Sequence, residues 1–283
     1  MYLPGRILCL ATSLLIAHLN PACLNAQDSP LLKQQGEYTK GGRGIQVAAL
    51  AKGQFRVSIY QAGLPGEGWD RSPPQITEMD TEELKDLLEG ASKVERKSPT
   101  LGAKPPTTAT VLFDGTPESL RAHWNDGAKI IEENLLLAGC TTKQTFRDYR
   151  LHLEFRTPFV PDALGQGRGN SGVYHQGRYE TQVLDSFGFD NEGNTCGAIY
   201  GVKPADFNAG LPPMTWQTYD VEFTAPRWDT NGKKTSDAKL SVWLNGYPIH
   251  RDQKVPGPTT AAPVPETPKD GPLYLQDHGD RKS

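Results

Sequence analysis

The chain has 283 residues, 30 Lys and Arg against 33 Asp and Glu, and a formal charge of −3. Charges of both signs are interspersed and no basic run occurs, which argues against a nucleic-acid partner. Gly (29) and Pro (23) are spread along the chain beside 10 Tyr and 5 Trp, the mark of many short strands joined by turns and not of disorder.

The first residues read as a signal peptide. Arg6 supplies a positive start, residues 7–19 are an apolar run too short to cross a bilayer comfortably, and small residues follow up to Ala26, a suitable last residue before cleavage. Lipid attachment at Cys23 fits less well, because Pro21 suits a lipobox poorly. On this reading residues 1–26 form no part of the folded core, and the protein is exported to the periplasm or the extracellular space. No later segment is apolar enough for a membrane span. Cys9 and Cys23 would leave with the signal. Cys140 and Cys196 would remain, either bridged or as separate buried thiols. No zinc-type ligand spacing occurs.

Residues 27–98 read as a small accessory β region. Ile45, Val47 and Ala49 alternate with polar or small residues, as do Phe55, Val57 and Ile59, with Lys52-Gly53 in the turn between. Asp80 with Glu83 three residues on, then Leu84, Leu87 and Leu88 in one stripe and Gly90 as a stop, predict a helix. A Pro-rich polar stretch, residues 99–110, is the linker to a main domain at 111–283. There Thr116-Pro117-Glu118 starts a short helix leading to Trp124, and a period of two then dominates. Tyr149, Leu151, Leu153 and Phe155 share one strand face; Arg150, His152, Glu154 and Arg156 share the other. Residues 216–224 and 240–244 alternate likewise, the latter up to the hairpin turn Asn245-Gly246. In residues 273–278, Leu273 and Leu275 oppose Tyr274, Gln276 and His278. Antiparallel strands with one polar face predict an all-β sandwich.

The densest polar stretch is residues 165–185, a Gly-rich loop feeding a hairpin. Glu180 and Gln182 are two apart and share a face, about 6.6 Å from each other along the strand. Asp185 has odd spacing and belongs to the other face unless a bulge intervenes. Glu180-Thr-Gln182-Val-Leu-Asp185 resembles the Glu-x-Asp-x-x-Glu strand of laminarinase-type glucanases. Here the middle acid is an amide, so double displacement, which needs two carboxyls flanking the bond, fits poorly.

A broader resemblance runs from Val111 onward. Leu112-Phe113-Asp114-Gly115, Asp148-x-x-Leu151-x-x-Glu154-Phe155-Arg156, Asn170-Ser171-Gly172-Val173-Tyr174, Tyr179-Glu180-x-Gln182-x-x-Asp185-Ser186, Gly197-Ala198-Ile199-Tyr200-Gly201, Trp216-Gln217-Thr218-Tyr219-Asp220, Asn245-Gly246 and Gly271-Pro272-Leu273-x-Leu275-Gln276-Asp277-His278-Gly279 occur in that order. Together they resemble the 3-keto-disaccharide hydrolase domain family, also described as 3-keto-glucoside 1,2-lyase/3-keto-2-hydroxy-glucal hydratase. Residues 27–98 resemble an accessory segment that precedes this domain in some exported bacterial members.

The resemblance implies a concanavalin A-like antiparallel β-sandwich (jelly roll) acting on carbohydrate. A ketone at C3 of a sugar acidifies the C2 proton; a base removes it, the C1–O bond breaks, and water adds back. Glu180, His278 and Asp185 are then the acid/base candidates. Arg156 or a divalent metal would steady the enolate oxygen, and Asn170, Gln182 and Gln276 suit sugar hydroxyls. No metal ligand set is apparent. The alternative is a lectin-like module on the same scaffold that binds glycans without turnover. The chain also departs from the family after the His-Gly block, where members continue into one more strand; its absence would leave a neighbouring strand unpaired.

Overall fold

The computed structural model describes residues 6–15 and 29–278. In chain order the elements are β1 (Arg6–Leu15), α1 (Pro30–Gln34), β2 (Gly36–Lys40), β3 (Arg43–Ala49), β4 (Phe55–Tyr60), β5 (Gln75–Met79), α2 (Thr81–Leu88) and β6 (Ser92–Val94). The larger part follows with β7 (Thr110–Val111), α3 (Pro117–His123), β8 (Ile130–Ile131), β9 (Leu135–Leu137), β10 (Cys140–Phe146), β11 (Tyr149–Arg156), β12 (Ser171–His175) and β13 (Tyr179–Val183). It closes with β14 (Gln217–Thr224), β15 (Arg227–Trp228), β16 (Lys234–Ser236), β17 (Ala238–Leu244), β18 (Tyr247–Val255) and β19 (Gly271–Leu275).

Two sheets form the expected sandwich. The larger runs β18-β17-β14-β11-β1-β9-β8, with β7 also on β1; the smaller runs β10-β19-β12-β13. Between them lie Tyr149, Leu151, Leu153 and Phe155 of β11, Tyr219, Val221 and Phe223 of β14, Val173 of β12, Tyr179 and Val183 of β13, and Leu273 and Leu275 of β19. The period-two reading of these strands therefore holds. Apart from β1, their pairing is antiparallel. The Asn245-Gly246 turn has both residues at positive φ, 53° and 81°, as a tight two-residue hairpin requires.

In the full-length chain residues 6–15 form β1, which lies parallel to β11 on one side and to β9 and β7 on the other. Only Arg6 in that strand is charged, and the rest of it is near-continuously apolar. β11 is therefore paired on both edges and not left open. The proposed cleavage site at Ala26, Cys23, and the chain beyond His278 lie outside the described residues.

The accessory region is a sheet of order β5-β4-β3-β2-β6 with its own core of Tyr38, Ile45, Val47, Ala49, Phe55, Val57, Ile59 and Leu84. The helix start is the predicted capping box: Asp80 accepts from the Glu83 backbone while the Glu83 side chain accepts from the Asp80 backbone. This region is fixed to the sandwich. Arg56 Nε and Ser58 Oγ both donate to Gly188 O (3.1 and 3.2 Å), and Arg56 pairs with Asp190 at 2.9 Å. Cys140 and Cys196 are separate buried thiols; Cys196 Sγ sits 3.2 Å from the Tyr219 hydroxyl. Among the described residues no helix is long and apolar enough to cross a membrane.

Candidate active site

The smaller sheet turns one face to the core and the other outward. Val173, Tyr179, Val183, Leu273 and Leu275 take the core side. Alternation sends Gly172, Tyr174, Glu180, Gln182, Tyr274 and Gln276 to the outer side. Register then aligns them. Tyr174 pairs with both Glu180 and Tyr274, and Gly172 pairs with Gln182. Gln276 N donates to Gly172 O at 2.9 Å, so Gln276 is level with Gly172 and Gln182.

Glu180 is 2% exposed. Its carboxylate lies over the bare backbone of Gly172. Its own backbone is held on both sides, N–H donating to Thr259 Oγ1 (3.0 Å) and C=O accepting from Tyr200 N (3.2 Å). Burial pushes the carboxyl up to about 7, with the Tyr174 hydroxyl pulling the other way. An acid with that value exchanges a proton readily near neutral pH.

Gln182 is fully buried, its Nε2 facing Gln166 Oε1 (2.9 Å), Asn170 Oδ1 (3.1 Å) and Asn194 O (3.2 Å), while its Oε1 has no partner. A buried acceptor left open suits a donor from a ligand. Gln276 Nε2 donates to the Tyr174 hydroxyl at 3.3 Å. The structure thus gathers Glu180, Gln182, Asn170 and Gln276 on one face.

Two other candidates, Arg156 and Asp185, are not gathered there. Arg156 sits on the outer face of the larger sheet, on the far side of the sandwich, paired with Glu133 at 3.2 Å and with its guanidinium 5.2 Å from the Trp216 ring centre. Alternation within β11 sets its face, but not which sheet β11 joins. Asp185 follows the end of β13 and turns inward. Arg168 Nη2 meets it at 2.7 Å with both side chains buried, and its backbone N–H donates to Arg168 O. Burial pushes this carboxyl up and Arg168 opposes the shift. No bulge returns Asp185 to the outer face, because β13 has already ended at Val183. His278 is exposed, two residues past Gln276 and beyond the end of β19. It follows Gln276, which is level with Gly172, the residue over which the Glu180 carboxylate lies.

The tyrosines are what sequence reasoning missed. Tyr174 is buried, its ring centre is 5.5 Å from that of Tyr274, and its hydroxyl donates to Thr260 O at 2.9 Å. Alternation within β12, combined with the hairpin register at residues 176–178, places Tyr174 beside Glu180. The opposite polar face also holds more than an exposed strand would: His152, 8% exposed, has Nδ1 at 2.7 Å from Asp220 and Nε2 at 3.5 Å from Glu154. Linker residues cover it, Thr100 donating to Asp220 and Gly102 N to Glu154. Among the described residues no three His, Cys, Asp or Glu side chains gather as a metal ligand set.

Residues 108–282 match the 3-keto-alpha-glucoside-1,2-lyase-like domain family. The chain belongs to that family. A crystal structure described as a "putative glycosyl hydrolase" from Parabacteroides distasonis is 30% identical and superposes with a TM-score of 0.55, covering 62% of this chain and 79% of that one. A second, with the same description and organism, is 19% identical with a TM-score of 0.41, covering 60% and 87%. No curated protein matches. The β-sandwich is thus shared with a solved glycosyl hydrolase-like protein at appreciable identity.

Proposed function

We propose that this member of the family is a carbohydrate-active enzyme that cleaves 3-keto-glycosides by elimination and hydration, with Glu180 as its base. The observation that carries the reading is a single buried carboxyl, poised near neutrality, on a face otherwise made of amides and phenols. Double displacement needs a second carboxyl about 5 Å away, and Asp185 is committed to Arg168 instead. Elimination needs only one base. The ketone at C3 acidifies the C2 proton; the Glu180 carboxylate takes it, and the C2–H pair passes into an enolate. The enolate electrons form the C1=C2 bond as the C1–O bond breaks. The proton on Glu180 is then at hand for the leaving oxygen, and water adds across C1=C2, so the sum is hydrolysis. Gln182 Oε1, Asn170 and Gln276 supply hydrogen bonds to the sugar.

Incubation of the protein with a chemically oxidised 3-keto-glucoside in D2O tests this. Aglycone release with one deuterium at C2 of the product is expected, and Glu180→Gln should lose at least about 100-fold in rate. Release without C2 exchange would point to direct hydrolysis. Binding without release would make the domain a glycan-binding module. We further propose export to the periplasm or beyond, which would remove β1; the N-terminus of the secreted protein, read by mass spectrometry, tests it, and Met1 retained there would overturn it.

A further inference from the structure

We propose that Tyr174 is the positioning residue for Glu180: its phenol, steadied by Gln276, donates to the Glu180 carboxylate and holds it in the charged, proton-accepting form. This rests on Glu180 being the base. The geometry comes from three strands. Tyr174 and Glu180 are cross-strand partners with both side chains outward. Gly172, two residues before Tyr174, has no side chain, so the Glu180 carboxylate lies across β12 toward Gln276, which is level with Gly172. Gln276 Nε2 fills an acceptor position on the phenol oxygen and leaves the phenol proton free to donate.

That proton has two acceptors within reach. One is Thr260 O, at 2.9 Å in this structure, in the segment between β18 and β19. The other is the Glu180 carboxylate, on the cross-strand partner of Tyr174 and in hydrogen-bonding reach of its hydroxyl. A phenol carries one hydrogen and rotates to suit. A hydrogen bond to an ionised acceptor is roughly twice as strong as one to a neutral carbonyl. Ionised Glu180 therefore draws the phenol proton; protonated Glu180 releases it to Thr260 O. Burial, with Glu180 adding to it, pushes the Tyr174 phenol well above its ordinary value, so it remains a donor throughout.

The test is a carboxyl titration by NMR of the full chain with 13C-labelled glutamate, Glu180 being assigned by the signal lost in Glu180→Gln. In Tyr174→Phe the Glu180 midpoint should rise, its proton affinity increasing at least about threefold. The acid limb of kcat/KM on a 3-keto-glycoside should move the same way, with kcat reduced and KM within about twofold. Fluorotyrosine at position 174, a near-isosteric and stronger donor, should lower the midpoint. A midpoint unmoved by both changes would overturn the proposal. The titration needs no substrate. A protein that releases nothing from 3-keto-glycosides therefore removes the proposed activity, while the midpoint still decides the role of Tyr174.

Discussion

Glu180 lies directly across the backbone of Gly172: a Cβ built at position 172 would stand 2.1 Å from Glu180 Oε1 and 2.8 Å from its Cδ. The φ of Gly172 is not in the left-handed region, so space and not backbone conformation requires glycine there. Gly172→Ala should therefore displace the carboxylate while leaving the strand intact. The cost of overpacking is about 1–3 kcal/mol. The rate on a 3-keto-glycoside should fall at least about 100-fold, the share a general base contributes. Circular dichroism and steady-state kinetics check both halves, and an active Gly172→Ala variant would show that the carboxylate has another productive position.

Asp185 and Arg168 form a buried ion pair whose arginine also donates to Ala49 O of the accessory sheet (3.4 Å) and to Ala163 O (3.3 Å). Asp185→Asn should leave the guanidinium without its counter-charge and cost about 3–5 kcal/mol in chemical denaturation. An acid/base role would give the opposite pattern, a stable protein with no activity. Wild-type stability in Asp185→Asn would return Asp185 to the list of reacting groups.

The strand faces were legible because alternation is local: Tyr149, Leu151, Leu153 and Phe155 need no partner to declare a side, nor do Glu180 and Gln182. The Asp80–Glu83 cap was legible for the same reason. What failed depended on distant partners. Asp185 is decided by Arg168, 17 residues earlier in a Gly-rich loop. Arg156 has the right chemistry for an enolate, but β11 joins the other sheet. Tyr174 belongs to the site only once the β12–β13 hairpin has a register. The apolar residues after Arg6 suit both a signal and an interior strand, so pattern alone did not separate the two.

His152 offers a pH test remote from the site. Burial pulls its imidazole down, but the hydrogen bonds and charges of Asp220 and Glu154 outweigh that and raise it to about 9. The unfolded value is 6.5. The folded state therefore binds the proton more tightly. Its stabilising effect is full below about pH 6.5 and is lost as pH rises through about 9. After allowance for the partly exposed Asp220, the effect is on the order of 1–2 kcal/mol. Denaturation midpoints at pH 6 and pH 9.5 should differ more in the wild type than in His152→Gln. Equal differences would mean the imidazole is not charged in the folded protein.

Glu180 should cost the fold what it gives the chemistry. Its carboxyl has an ordinary value of 4.5 and is pushed up to about 7 in the folded chain, with burial as the cause. Between those values the folded state holds a proton that the unfolded state has released. Stability therefore falls as pH rises from about 4.5 through about 7, the sign opposite to that of a salt-bridged carboxylate. Glu180→Gln keeps the shape and removes the charge. Below pH 4.5 it should match the wild type, since both side chains are then neutral. Above pH 7 it should be more stable, by about 1–3 kcal/mol, because no carboxylate has to be held in a place where burial disfavours it. The same variant should be inactive, so stability and rate move in opposite directions, as is common where a site keeps a strained or desolvated group for function. The measurement is urea denaturation of both proteins at pH 4.5, 6 and 8. A difference that does not grow with pH would mean Glu180 titrates like an exposed carboxylate, which would leave it ionised well below neutrality and remove the reason for choosing it as the base.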